Sequence, residues 1–355
     1  MAIKNGNSRV LDKAKAVARH PLTFYAALIA LLYFFGFFNF VFGGGLIFNL
    51  EMPGQSYAGA LEPLTAQEEQ IKKRLQDDIA ELTVAIGKRN ISHYQNLQKS
   101  AEYIARRFRD LGYEVKFQDY SVSGVTVRNI EAEITGQKLQ QEIMVIGAHY
   151  DSADTVAAND NGSGVAAMLS LAGLLKDTKP ERTIRFVAFV NEEPPYFQTS
   201  DMGSLVYAKR AREKNENIIG AFSLETMGYY SDQPQSQHYP FPLNRFYPDT
   251  GNFIGFVGDG KSTDLVRKTI GLFRQNTKFP SEGAAISSTI PGVGWSDHWS
   301  FWQHGYRGLM ITDTAPYRYP FYHEEEDTID KIDFDRLSRV VMGLAKTFSA
   351  MAGKS

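Results

Sequence analysis

The run 143-IMVIGAHYD-151 reads as six apolar residues that deliver a histidine and, two positions on, an aspartate. A strand with one face in water alternates apolar and polar residues, whereas a strand covered on both faces stays apolar throughout. Residues 143–148 do not alternate, so this strand is expected in the interior of a sheet. The same device recurs outward along the chain. IRFVAFV at 184–190 runs into Asn191-Glu192-Glu193, IIGAFSL at 218–224 runs into Glu225, and LMI at 309–311 is a further buried run. Stretches with helical character, 165–175, 203–213 and 263–275, lie between them. Strands alternating with helices imply an α/β fold, a largely parallel sheet sandwiched by helices. In open sheets of this kind ligands bind beyond the carboxyl ends of the strands, where His149, Asp151, Glu192, Glu193 and Glu225 all fall.

Towards the amino end, 115–117 and 125–134 read as strands and 94–111 as a helix stopped by Gly112. Leu75, Ile79, Leu82 and Ile86 recur at helical spacing and mark an earlier amphipathic helix. The body, 64–355, reads as one domain without internal repeats. A net charge of −2 and no basic stripe exclude a nucleic-acid binder. Cysteine is absent, so thiol nucleophiles and thiolate zinc sites are excluded and any metal falls to histidines and carboxylates.

Residues 21–50 contain no charged side chain, and 22–42 read LTFYAALIALLYFFGFFNFVF. A bilayer core of about 30 Å needs about 20 such residues, so 22–48 is expected to be an N-terminal transmembrane helix. Ala58-Gly59-Ala60 resembles a cleavage site, but the apolar run is longer than a signal peptide's. Lys4, Arg9, Lys13, Lys15 and Arg19 precede the run, and only Glu51 and Glu62 follow closely. By the positive-inside rule, residues 1–21 are a cytoplasmic tail. The lipid bilayer is then a partner through the anchor, 49–63 is a linker, and the body is extracytoplasmic (periplasmic or at the cell surface in a bacterium).

The loop AANDNGSG at 157–164 places Asp160 just before a helix, and a late loop carries Tyr322-His323-Glu324. Two imidazoles and several carboxylates suit zinc or a similar divalent ion, and an aspartate between two ions can bridge them. In an extended His-x-Asp segment both side chains face one way, so Asp151 can hydrogen-bond the His149 ring and set its tautomer. Adjacent Glu192 and Glu193 must point differently. One can ligate while the other carries a proton from the attacking water to the leaving amine. Each of these elements alone is usually structural; the weight lies in the ordered set at strand ends.

That set, with GAHYDS (147–152), AANDNGSG, VNEEPP (190–195), FQTSDMGS (197–204), SLETMGYY (223–230), SDH (296–298) and YHEEEDT (322–328), resembles the M28 family of zinc peptidases over about residues 64–343. The resemblance implies a three-layer α/β/α fold with a mixed central sheet, a peptide or protein substrate, and two zinc ions (Zn2+). By motif, His149 and Glu225 would hold one ion, Glu193 and His323 the other, and Asp160 would bridge them. Glu192 would be the general acid/base and Asp151 the orienting carboxylate. The best-known aminopeptidases of the family have Asp where this chain has Glu225. The longer side chain changes the reach to the metal, which makes Asp160, Glu193 and His323 the firmer set. The activity implied is that of a zinc-dependent exopeptidase, acting by preference at the amino end, with carboxypeptidase specificity also open.

Two other readings compete. A glutaminyl-cyclase-like zinc aminoacyltransferase would keep three ligands and one zinc; retention of His149 and a carboxylate at 225 argues for two metals and hydrolysis. A non-catalytic receptor on a peptidase fold would have lost a ligand or the base, and none is lost. Ser296-Asp297-His298 names a hydrolase triad, but immediate neighbours rarely converge, and Ser163 lacks the nucleophile-elbow spacing. Asp297 and His298 either line the substrate site or support the metal shell. His20, His93, His238 and His304 read as ordinary residues, and Glu324, Glu325 and Glu326 as a solvated rim. The Tyr-, Pro- and Phe-rich stretch 231–252 reads first as a packed surface loop and second as a wall for a side-chain pocket.

Overall fold

Side-chain alternation along the central strands sorts the apolar residues into two cores. Ile143 and Val145 of β3 (Leu139–His149) pack with Val187 and Phe189 of β4 (Arg182–Phe189) and Ala221 of β5 (Asn217–Glu225). Their even-numbered neighbours Met144, Ile146, Phe186, Ala188, Phe222 and Leu224 face the opposite core. With period-2 geometry, both faces of these strands are buried, as their nearly continuous apolar runs require. The first core is closed by α4 (Gly203–Glu213) and α6 (His298–Gln303). The second lies under α1 (Ala66–Ala80), α2 (Tyr94–Asp110), α3 (Gly164–Leu175), α5 (Thr263–Asn276) and, beyond the short α7 (Ala315–Arg318), α8 (Phe334–Ala352). The result is three layers, α/β/α.

The computed structural model describes residues 49–353. Its sheet runs β1-β2-β4-β3-β5-β8-β6-β7, with β1 at Val115–Val122, β2 at Val125–Ile134, β6 at Ile254–Gly258, β7 at Ser281–Ala285 and β8 at Gly308–Thr312. The four strands β4-β3-β5-β8 are mutually parallel. β2 joins one side antiparallel, and β6 joins the other antiparallel. The sheet is therefore mixed around a parallel centre. β1 is longer than its apolar start suggests, because an edge strand tolerates the polar residues 118–121.

The expected tail and anchor, residues 1–21 and 22–48, lie outside the described residues. Among the described residues no helix is long and apolar enough to cross a membrane. Within the segment 49–63, expected to be a linker, residues 49–56 dock on the domain as a strap. Asn49 exchanges two main-chain hydrogen bonds with Ala285 of edge strand β7 (3.0 and 3.1 Å). The Arg274 guanidinium donates to the Pro53 and Gly54 carbonyls at 3.3 and 3.0 Å, and Ser281 N donates to Ser56 Oγ at 2.9 Å. The physical reason is the open edge of β7, whose main-chain groups the strap pairs.

Helix α8 was not anticipated. It contributes Leu337, Val340, Val341, Leu344 and Phe348, all fully buried, each worth about 1.5–3 kcal/mol of burial. It packs on α1, α3 and α5 and covers the far side of the sheet from α4 and α6.

Candidate metal centre

His149 ends β3 and Glu225 ends β5, while Glu192 and Glu193 follow β4. Asp160 lies in the turn Ala158–Ser163 that leads into α3, at non-helical φ −108° and ψ 88°. The chain bends sharply around these positions: Asn191, Thr226 and His323 adopt φ of 60°, 43° and 61°. Non-glycine residues enter this left-handed region at a cost that the surrounding structure must offset.

The bends converge five expected side chains and Glu192. His149 Nε2 stands 3.3 Å from Asp160 Oδ1, 3.4 Å from Glu225 Oε2 and 3.8 Å from Glu192 Oε2. His323 Nε2 stands 3.0 Å from Asp160 Oδ2 and 3.2 Å from Glu193 Oε2. Asp160 thus turns one oxygen to each histidine. Two overlapping ligand groups result, His149–Asp160–Glu225 and Asp160–Glu193–His323, with the ligand atoms of each group within 4.8 Å of one another. His149 Nε2 and Glu193 Oε1 are buried with no hydrogen-bond partner, a state that costs about 1–3 kcal/mol per group. Nitrogen and carboxylate donors without sulfur suit zinc, so the residues present fit the metal. His323 is the exposed member and marks the open side.

Charge is concentrated here. Burial lowers the His149 pKa, but Glu225 and Glu192 outweigh it and raise it well above the usual imidazole value. His323 is pushed up to about 10, burial again being outweighed by Asp160 and Glu193. Burial raises Glu192 well above the carboxylate range against the pull of His149, and Glu225 and Glu193 add to the rise. Glu225 is pushed up to about 8 by burial, with His149 opposing. Asp160 is buried yet stays below the usual range because His149 and His323 stand against its two oxygens. Metal and protons therefore compete for the same histidines.

Two further carboxylates hold the ligand-bearing backbone. Asp151, expected to orient His149, has its Oδ1 3.6 Å from His149 Nδ1, with its own main-chain oxygen nearer at 3.3 Å. Its two carboxylate oxygens also accept from the Glu192 and Glu193 amides, both at 3.1 Å. Asp327 does the same for the bridging loop, accepting from Asn159 N at 2.8 Å and Asp160 N at 3.0 Å. Tyr319 also donates to it at 2.7 Å. Asp327→Asn would set an amide donor against one of these donors. Zinc affinity should fall about 10–100-fold with the fold retained, as read by competition with a chelating dye and by circular dichroism.

Sequence reasoning missed other supports. The fully buried Arg89 donates to the carbonyls of Tyr150 (2.8 Å), Val156 (2.6 Å) and Ala157 (2.9 Å) and ties together the loop between His149 and Asp160. Its signal was weak, a single arginine in a polar turn. Ser296 donates to Glu225 Oε2 at 2.7 Å, so the SDH motif supports the centre through its serine. His298 instead directs Nε2 to the Val293 carbonyl at 2.8 Å, and burial lowers its pKa to about 4. Asp297 is buried with both carboxylate oxygens unpaired. His93, His238 and His304 join neither ligand group, Glu324 to Glu326 are exposed, and His20 lies outside the described residues. The 231–252 stretch does form a wall: Gln237, Tyr239, Pro240, Leu243 and Tyr247 line a cavity that reaches Glu225 and Tyr322.

A three-layer α/β/α domain that gathers two histidine–carboxylate groups beyond the carboxyl ends of its parallel strands has the architecture of a metal-dependent enzyme. The family model for peptidase family M28 matches residues 129–348. The protein YfbL of Escherichia coli K12 is 36% identical over 292 residues, covering 79% of this chain and 88% of the relative. Aminopeptidase YwaD of Bacillus subtilis is 28% identical over 202 residues; the match covers 56% of this chain and 38% of that longer relative. The structure of BSAP, a zinc aminopeptidase from Bacillus subtilis, superposes with a TM-score of 0.65 at 17% identity, over 79% of this chain and 95% of that one. The chain belongs to peptidase family M28, and as a member it is a zinc-dependent exopeptidase.

Proposed function

We propose that the chain is an aminopeptidase with two zinc ions, one held by His149 and Glu225, the other by Glu193 and His323, with Asp160 shared. The observation that carries this is the division of the Asp160 carboxylate between the two histidines. Zinc, when bound, polarises the scissile carbonyl and favours ionisation of the attacking water. Glu192 is the proton carrier. It is buried beside the centre without belonging to either ligand group, placed to take a proton from water and return it to the leaving amine. Asp151 keeps Glu192 and Glu193 pointing apart through their amides. Tyr322 stacks on His323 with ring centroids 4.0 Å apart and lines the cavity. Burial and the nearby carboxylates keep its phenol protonated, a hydrogen-bond donor for charge developing on the carbonyl oxygen. A free amino terminus is drawn in by the surplus of carboxylates. The uncharged run 21–50 supports a single membrane anchor at 22–48, with the basic tail cytoplasmic and the body outside.

The test uses the full-length chain in detergent, zinc-loaded, with free, N-acetylated and Gln-starting peptides followed by mass spectrometry. Single residues should be lost stepwise from free amino ends while acetylated peptides persist. Ammonia loss confined to Gln-starting peptides would establish the cyclase reading instead. Before extraction the chain should sediment with membranes and resist an alkaline wash; release by that wash would remove the anchor.

A further inference from the structure

The cavity beside the centre runs across the sheet to a second carboxylate. Glu225 pairs with Thr312, Thr312 with Gly255, and Gly255 with Glu282. Residues paired in this way lie in one row and face the same side of the sheet. Three strand spacings of about 4.8 Å put the row's ends roughly 14 Å apart, and both glutamates line the same cavity. Gly255 leaves the middle of the floor without a side chain. A Cβ there would stand 3.2 Å from Thr312 O and Thr314 Cγ2. The neighbouring row, Met310–Val257–Ala284, is apolar and lines the cavity too.

The walls present ring faces rather than polar tips. Tyr239 and Tyr247 are stacked at 5.6 Å, and both hydroxyls are engaged by main-chain carbonyls, of Pro248 and Gly283, at 2.7 Å. Gln237 Oε1 is taken by Arg318 and Thr314. Among the lining residues Glu225 and Glu282 are the only charged ones, and no basic residue is among them. Arg274 approaches Glu282 Oε2 at 3.7 Å, but it is not a lining residue, and its guanidinium is bound to Ser281, Pro53 and Gly54.

Resting on the aminopeptidase reading, we infer that Glu282 is a specificity-determining residue that selects peptides beginning with lysine or arginine. The methylene stem lies along the aromatic walls, as such stems do on apolar surface. The cationic tip meets ring faces and then the Glu282 carboxylate, both attractive to a partly desolvated cation. An acidic side chain would meet two carboxylates and no cation.

The zinc-loaded full-length chain is assayed on methylcoumarylamides of lysine, arginine, norleucine, leucine and glutamate. Norleucine is lysine's stem without its ammonium. The kcat/KM for lysine and arginine should exceed that for norleucine by about tenfold, with glutamate lowest. Glu282→Gln should bring the lysine-to-norleucine ratio close to one, mainly through KM. A wild-type ratio near one, or a ratio unchanged in the variant, overturns the assignment while leaving the aminopeptidase reading intact. Failure to hydrolyse any of the five with zinc bound removes the aminopeptidase reading and this assignment with it. The lysine–norleucine comparison in the wild type decides the matter even if the variant does not fold.

Discussion

Glu192→Gln lowers kcat by at least about 10²–10⁴-fold and leaves the zinc content of the protein unchanged. The substitution keeps shape and burial but removes the group able to accept a proton. Glu192 follows β4 and is 7% exposed. It lies 3.8 Å from His149 Nε2, farther than Asp160 and Glu225, so it stands next to the ligand groups without belonging to either. Its amide is fixed by Asp151, and the glutamine should adopt the same position. Zinc analysis and steady-state kinetics on one preparation separate the two roles. Undiminished turnover would take Glu192 out of the mechanism, and loss of zinc would make it a ligand.

On the two-zinc proposal, Asp160→Ala is expected to empty both sites together. Each oxygen of Asp160 serves one histidine, so one truncation leaves His149–Glu225 and Glu193–His323 as two separated two-ligand remnants. Buried histidines and carboxylates that share a metal stabilise the fold by the binding free energy of that metal. The variant should therefore lose the rise in melting temperature that zinc gives the wild type. It should also fall from two bound ions towards none, with turnover lost. His149→Ala is the contrast, since the Asp160–Glu193–His323 group survives it and should still hold one ion. One tightly bound zinc in Asp160→Ala would show that the aspartate is not shared.

The parallel centre of the sheet was legible because burial on both faces leaves a mark that one strand carries alone: the nearly continuous apolar runs that end at Ala148, Val190 and Leu224. The antiparallel flanks were less legible, since the direction of a strand is set by its connection and its neighbours. Helix α8 carries Leu337, Val340, Val341, Leu344 and Phe348 at helical spacing, so its sequence holds the signal of a buried helix face. The strap at 49–56 left no such mark. Its composition is that of a linker, and it is ordered by the vacant edge of β7 and the guanidinium of Arg274.

The candidate site divides along the same line. The sequence by itself determined the residue types at the strand ends, and with them a nitrogen–oxygen donor set for a divalent metal; zinc and the peptidase chemistry followed from the resemblance carried by the ordered motifs. Tertiary structure alone decided which oxygen faces which histidine. It also decided that Asp151 and Asp327 clamp amides, that Arg89 braces the loop from beneath, and that Glu282 shares a cavity with Glu225. Glu225 and Glu282 are far apart in the chain yet only three strands apart in space. Only strand order and register, which arise when the whole sheet assembles, put them in one row.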